Sequence, residues 1–92
     1  MRIDFDPAKD AANRAKHGLS LGDAYLVYDA PDKLTLISPR VEEERKLDIA
    51  MVEMMGVVLV LVYVERGESL RAISLRRASR HERRLYEAAK QD

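Results

Sequence analysis

The stretch "GVVLVLVYVERGESLRAISL", Gly56–Leu75, decides how this chain folds. Gly56–Val64 is apolar at nearly every position, the pattern of a strand covered on both faces. "ERGE" then marks a turn centred on Gly67, and "SLRAISL" (69–75) brings polar side chains back in alternation. That alternation is uneven, because Leu70 and either Ala72 or Ile73 stand against Arg71 and Ser74. A hairpin with a doubly covered first strand needs neighbours, and the residues before it supply them.

"RKLDIAMVE" (45–53) alternates Leu47, Ile49 and Met51 on one face against Lys46, Asp48 and Ala50 on the other. "LTLIS" (34–38) is a further strand, joined to it by the charged loop "PRVEEE", whose Glu42–Glu44 are expected in solvent. Consecutive strands with short connections favour an antiparallel meander of about four strands. "MRIDF" predicts a short N-terminal strand. Asp6 then caps a helix with Pro7 at its first position, running to His17 and stopping at a left-handed Gly18. Ala8, Ala11, Ala12 and Ala15 are its expected buried face.

A second helix is expected in "SLGDAYLVYDAP", where Ser20 and Asp23 make a variant capping box and Pro31 ends the element. Leu21, Ala24, Tyr25 and Tyr28 should share its inner face. Ser79 and Glu82 form a full capping box for the last helix, with His81, Leu85, Ala88 and Ala89 along its inward side. Tyr28, Tyr63 and Tyr86 fit the boundary between sheet and helices. The expected fold is α+β, one domain over residues 1–92: a short strand, two helices, the meander, and a C-terminal helix.

The 92 residues include no cysteine, so disulfides and thiolate metal sites are excluded. The N-terminus is charged from its second residue, unlike a secretory leader, and the longest apolar run is too short for a membrane-spanning helix. A cytoplasmic protein with no membrane partner is expected. Net charge is zero, yet residues 1–68 carry nine Lys or Arg against thirteen Asp or Glu, and residues 69–90 seven against two. A basic pole of this kind suits phosphates or acidic partners.

Arg76 and Arg77 precede the last helix, whose N-terminal dipole already favours an anion. Arg71 lies on the strand before it, and Arg45 on a neighbouring one. Guanidinium groups grip phosphate bidentately and stay charged, so these arginines could hold an RNA backbone and stabilise a phosphorane. Lys46 and Arg80 are further candidates for backbone contact, while Arg83 and Arg84 should face water. His17, His81 and Glu65 are competing proton-transfer candidates, although a cationic His17 is also explained by its place at a helix C-terminus. Two histidines and no cysteine make a tight metal site improbable, and no cofactor motif occurs.

Two groups of residues are similar to BrnT-family toxins. The opening pattern is carried by Phe5, Asp6, Pro7, Lys9, Asn13, Lys16, His17, Gly18, Ala24, Val27 and Asp29. The closing pattern is carried by "VYVERG" (62–67), by Ile73, Ser74, Arg76 and Ala78, and by Glu82, Arg83 and Tyr86. The resemblance implies a RelE-like fold and a type II toxin–antitoxin endoribonuclease, independent of metal, that inhibits translation by cleaving RNA. It further implies neutralisation by a BrnA-like ribbon-helix-helix antitoxin, in a heterotetramer that binds operator DNA. Residues 38–56 are least like the family. They motivate a second reading, a toxin-fold module that acts by binding antitoxin or nucleic acid without catalysis.

Overall fold

A computed structural model describes residues 1–38 and 44–91. The elements run β1 (Arg2–Asp4), α1 (Pro7–His17), a 3₁₀ turn (Leu21–Asp23), α2 (Tyr25–Tyr28), β2 (Leu34–Ser38), β3 (Arg45–Val52), β4 (Val57–Arg66), β5 (Ser69–Arg77) and α3 (Arg80–Lys90). The sheet order is β1-β5-β4-β3-β2. β2 to β5 form the expected antiparallel meander. β1 extends it as a fifth strand, parallel to β5 through Ile3↔Leu70 and Asp4↔Arg71. No helix among the described residues is long and apolar enough to cross a membrane.

β4 is the central strand, and its Leu59, Val60 and Leu61 are fully buried. Gly67 takes a φ of 60°, and Arg66 pairs with Ser69. Gly67 is thus the first residue of a two-residue hairpin loop, the place where a positive φ matches the strands' twist. The Glu42 and Glu43 of the charged loop lie outside the described residues; Glu44 is exposed.

One face of the sheet carries Leu59, Leu61, Tyr63, Leu70, Ala72 and Leu75, and the segment from α1 to α2 packs on it. The helix assignments hold, but their faces differ from expectation. The alanines of α1 are exposed, and Asn13 is its one buried residue. The Asn13 amide donates to the Leu75 and Leu19 carbonyls and accepts from the Leu75 N–H, at 2.8 to 3.1 Å. A polar anchor to a strand edge thus replaces apolar packing, since methyl side chains cover too little area to hold a helix alone. Around α2, Leu21, Ala24 and Val27 are buried while Tyr25 is 49% exposed. The 3₁₀ turn explains this, because its three-residue repeat carries the stripe to Val27 rather than Tyr25. Ser20 caps that turn by accepting from the Gly22 N–H, without the reciprocal bond expected of Asp23.

Asp48 is the other departure. It is fully buried, and accepts bonds from Lys33 (2.8 Å), Thr35 (2.6 Å) and the Tyr63 hydroxyl (3.1 Å). Lys33 also stacks on the Tyr28 ring at 3.9 Å, and Tyr28 meets Tyr63 edge to face. A buried carboxylate survives only when its oxygens are satisfied, and this cluster ties the α2–β2 loop to the sheet. Burial, followed by the Asp48 charge, pushes the Tyr63 hydroxyl well above its ordinary range.

Candidate functional site

Residues directly opposite one another on antiparallel strands project from the same face. On the face away from α1, the cross-strand rows are therefore Leu34–Ile49–Val60–Arg76, then Leu36–Leu47–Val62–Ser74. The next row begins with Ser38–Arg45 and ends with Val64–Arg71; continuing the β3–β4 register one residue past Lys46↔Tyr63 sets Arg45 beside Val64. A bulge at Val62/Tyr63 leaves Ile73 as the extra residue on β5. Arg71 and Arg76 are five residues apart and would otherwise point to opposite faces. The extra residue restores the parity and puts both on one face. The uneven alternation of "SLRAISL" is this bulge.

Among the described residues, α3 covers the first of these rows and no element covers the last. Arg76 makes a two-bond ion pair with Glu82 at 2.7 and 2.9 Å. Glu82 also accepts from the Ser79 N–H at 2.8 Å, completing the capping box expected from the sequence. The Arg76 guanidinium holds the Glu82 carboxyl down at about 2. Tyr86, the buried residue of α3, donates to Asp32 at 2.8 Å, and Lys90 pairs with the same carboxylate. The Tyr86 bond is the main cause of the lowered Asp32 pKa. Leu85, Ala88, Ala89 and His81 are exposed, contrary to the inward face assigned to them. The pairing of Glu82 with Arg76 and of Lys90 with Asp32, together with the buried Tyr86, orients the helix instead.

The uncovered row has a different character. Arg45 and Arg71 are half-buried, and neither has an acidic partner among the described residues. They flank Val64 with Cα atoms about two strand spacings, roughly 10 Å, apart. Val64 is 3% exposed yet stands outside the core cluster. Arg45 and Arg71 are its neighbours on the flanking strands. The half-buried Leu36, Leu47 and Val62 make an apolar floor beside them. Two forked cations on one sheet face beside apolar side chains could hold a phosphate and stabilise charge that builds on its oxygens.

His17 comes near this row from the other side of β5. With Lys9, Lys16, Ile73 and Ser74 it lines a shallow groove of about 190 Å³, and Ser74 shares the face of Arg71. Residue type alone points to His17 and not to Lys9 and Lys16 as surface-forming residues. Their spacing, seven apart on one helical stripe, was the available signal.

The remaining candidates separate. Arg76 is roughly 15 Å from Arg71 along β5 and is engaged by Glu82. Glu65 and Lys46 are bound to each other at 2.8 Å on the opposite face, in line with Tyr63. Glu65 raises the Lys46 pKa, first through that bond. His81 and Arg80 are exposed in the first turn of α3, and Arg77 lines another groove with Arg83 and Glu87. A groove of about 670 Å³ lies between the α2–β2 loop and the end of β3. Its walls include the apolar Leu26, Pro31, Met51 and Met54, with Lys90 committed to Asp32 and Glu53 as the remaining charged group, so it presents no arginine to a phosphate. Among the described residues, no three His, Asp or Glu side chains gather as a cation site.

The fold defines a small α+β protein whose mixed sheet carries Arg45 and Arg71 on one face. Residues 5–82 match the family described as the ribonuclease toxin, BrnT, of type II toxin–antitoxin systems, and the chain belongs to that family. The family is one of ribonuclease toxins that act with an antitoxin partner. No curated protein matches the chain.

Proposed function

We propose that this chain cleaves RNA on the uncovered half of the sheet, with Arg71 and Arg45 as the phosphate clamp. The observation that carries the reading is the Arg45–Val64–Arg71 row, cationic, half-buried and free of acidic partners among the described residues. In this scheme the ribose 2′-oxygen attacks the adjacent phosphorus, and its proton passes to a base. The bond from phosphorus to the 5′-oxygen breaks, that oxygen takes up a proton, and a 2′,3′-cyclic phosphate remains. The arginines neutralise the charge that accumulates on the non-bridging oxygens and need no bound metal to do so. His17 carries the proton, because its imidazole can both accept and donate one and its groove opens beside Ser74 on the clamp's face.

Arg76 has a positioning role here, seating α3 through Glu82, and His81, Glu65, Lys46, Arg77 and Arg80 are outside the clamp. RNA cleavage in the cytoplasm would inhibit translation. A BrnA-like ribbon-helix-helix antitoxin would neutralise the toxin by laying an acidic segment over the row, in a heterotetramer that binds operator DNA.

The test is cleavage of single-stranded RNA by the purified protein, with chelator present, beside Arg71→Ala and Arg45→Ala. Cleavage with cyclic-phosphate ends, lost in both folded variants, supports the reading. A folded native protein that binds RNA without cleaving it would replace it with the binding-module reading.

A further inference from the structure

β1 stops pairing at Arg71, and beyond that point α1 takes its place along the outer edge of β5. The Leu75 N–H and C=O point away from β4 into the Asn13 side chain, which pins the helix there. Lys9, Asn13 and Lys16 fall on one stripe of α1, so the same anchor that buries Asn13 fixes the two lysines over the β5 edge. With His17 they form one wall of the groove, and Ile73 and Ser74 form the other. Ile73 is the residue that the bulge expels from the ladder, and it gives the groove an apolar floor.

Lys9 and Lys16 have no acidic partner among the described residues. The carbonyls at the end of α1 carry partial negative charge, but Arg14, Lys16 and His17 in its last turn offset it. Lys9 is nearly two turns upstream, beyond that influence. The groove and the arginine row meet at Ser74, which lies on the clamp's face. Ser74 is roughly 7–10 Å from Arg71 along the strand, a distance a nucleotide backbone crosses without a gap.

We infer that the Lys9–Lys16 groove is a second phosphate subsite, through which single-stranded RNA leaves the arginine row around the edge of β5. This inference rests on the RNA reading above. A strand on this path turns from the sheet face to the flank of α1. A flexible single strand can make that turn with a ribose or base on Ile73, whereas a stiff duplex cannot keep both contacts.

The experiment uses a 2′-O-methyl RNA dodecamer, which cannot be cleaved because its nucleophile is blocked. Its affinity is measured against salt for the native protein, for Lys9→Ala/Lys16→Ala, and for the charge-matched control Arg83→Ala/Arg84→Ala. All four side chains are exposed, so folding should be unaffected, and circular dichroism checks this. Removing both lysines should weaken binding on the order of ten-fold at low salt and make the salt slope shallower by about 1.4, while the control keeps the native slope. A complementary duplex should bind more weakly than the single strand.

An unchanged slope in the lysine variant, an equal loss in the control, or a preference for duplex would each overturn the subsite. So would a groove that binds an acidic peptide but no RNA. If the lysine-dependent slope is found but native RNA is never cleaved, the subsite stands and the proposed reaction falls. If cleavage depends on Arg71 but the slope ignores the lysines, the reverse holds.

Discussion

Arg71 and Arg76 stand on the same strand and the same face of the sheet, and they live in different chemistry. Arg76 is closed off by a capping glutamate that also satisfies the Ser79 N–H, so its charge goes into holding α3 on the sheet. Arg71 faces Val64 and Arg45 with no acidic partner among the described residues, so its charge is left for something from outside. The difference shows that an arginine-rich stretch is not one surface. What each guanidinium already holds decides its role, and the count of positive charges does not.

Removing the free arginine should have the largest effect. Arg71→Ala is expected to lower single-turnover RNA cleavage by about 100- to 1,000-fold while thermal melting stays within a few degrees of native. If the variant cleaves normally, the two arginines are not divided as described.

Removing the held one should give the opposite signature. Arg76→Ala leaves the Glu82 carboxylate partly buried without its cation, at a cost of about 2–3 kcal/mol in urea denaturation. Replacing both partners, Arg76→Leu with Glu82→Leu, should recover much of that loss, since no charge is then stranded. Cleavage lost in that stable double variant would move Arg76 back into the clamp.

Acid sharpens the same contrast. Glu82 sits at about 2 in the folded protein, against an ordinary 4.5, so its contribution is full above roughly pH 5 and disappears as pH falls toward 2. Native stability should therefore drop by about 1–2 kcal/mol between pH 5 and pH 3, after correction for other carboxylates by comparison with Arg76→Ala. An equal drop in that variant would mean the pair contributes nothing. The smallest effect belongs to Arg84, exposed on α3: Arg84→Ala should shift stability by less than about 0.5 kcal/mol and leave cleavage rates unaltered.

Much of the architecture was legible in the residues. Asp6, Pro7 and Gly18 bound α1 as expected, Ser79 and Glu82 start α3, and Gly67 makes the hairpin, because caps and turns depend on side chains within a few residues. Arg71 and Arg45 were named as clamp candidates from their residue type and strand placement. Helix faces were less legible. Ala8, Ala11, Ala12 and Ala15 looked like a packing stripe, and His81 and Leu85 like an inward one. Each helix is instead held by a polar residue, Asn13 in α1 and Glu82 in α3. Their partners are Leu75, 62 residues away from Asn13, and Arg76 on another element, and apolar periodicity carries no record of such bonds.

The sequence by itself determined the order of elements, the central strand and the family pattern, since these follow from local periodicity and short motifs. Which arginines share a face was decided by the tertiary structure. Side chains alternate along a strand, so one extra residue at Ile73 reverses every assignment beyond it. Only the pairing of β5 with β4 places that bulge, and only the docking of α3 takes Arg76 out of the free surface that Arg71 and Arg45 retain.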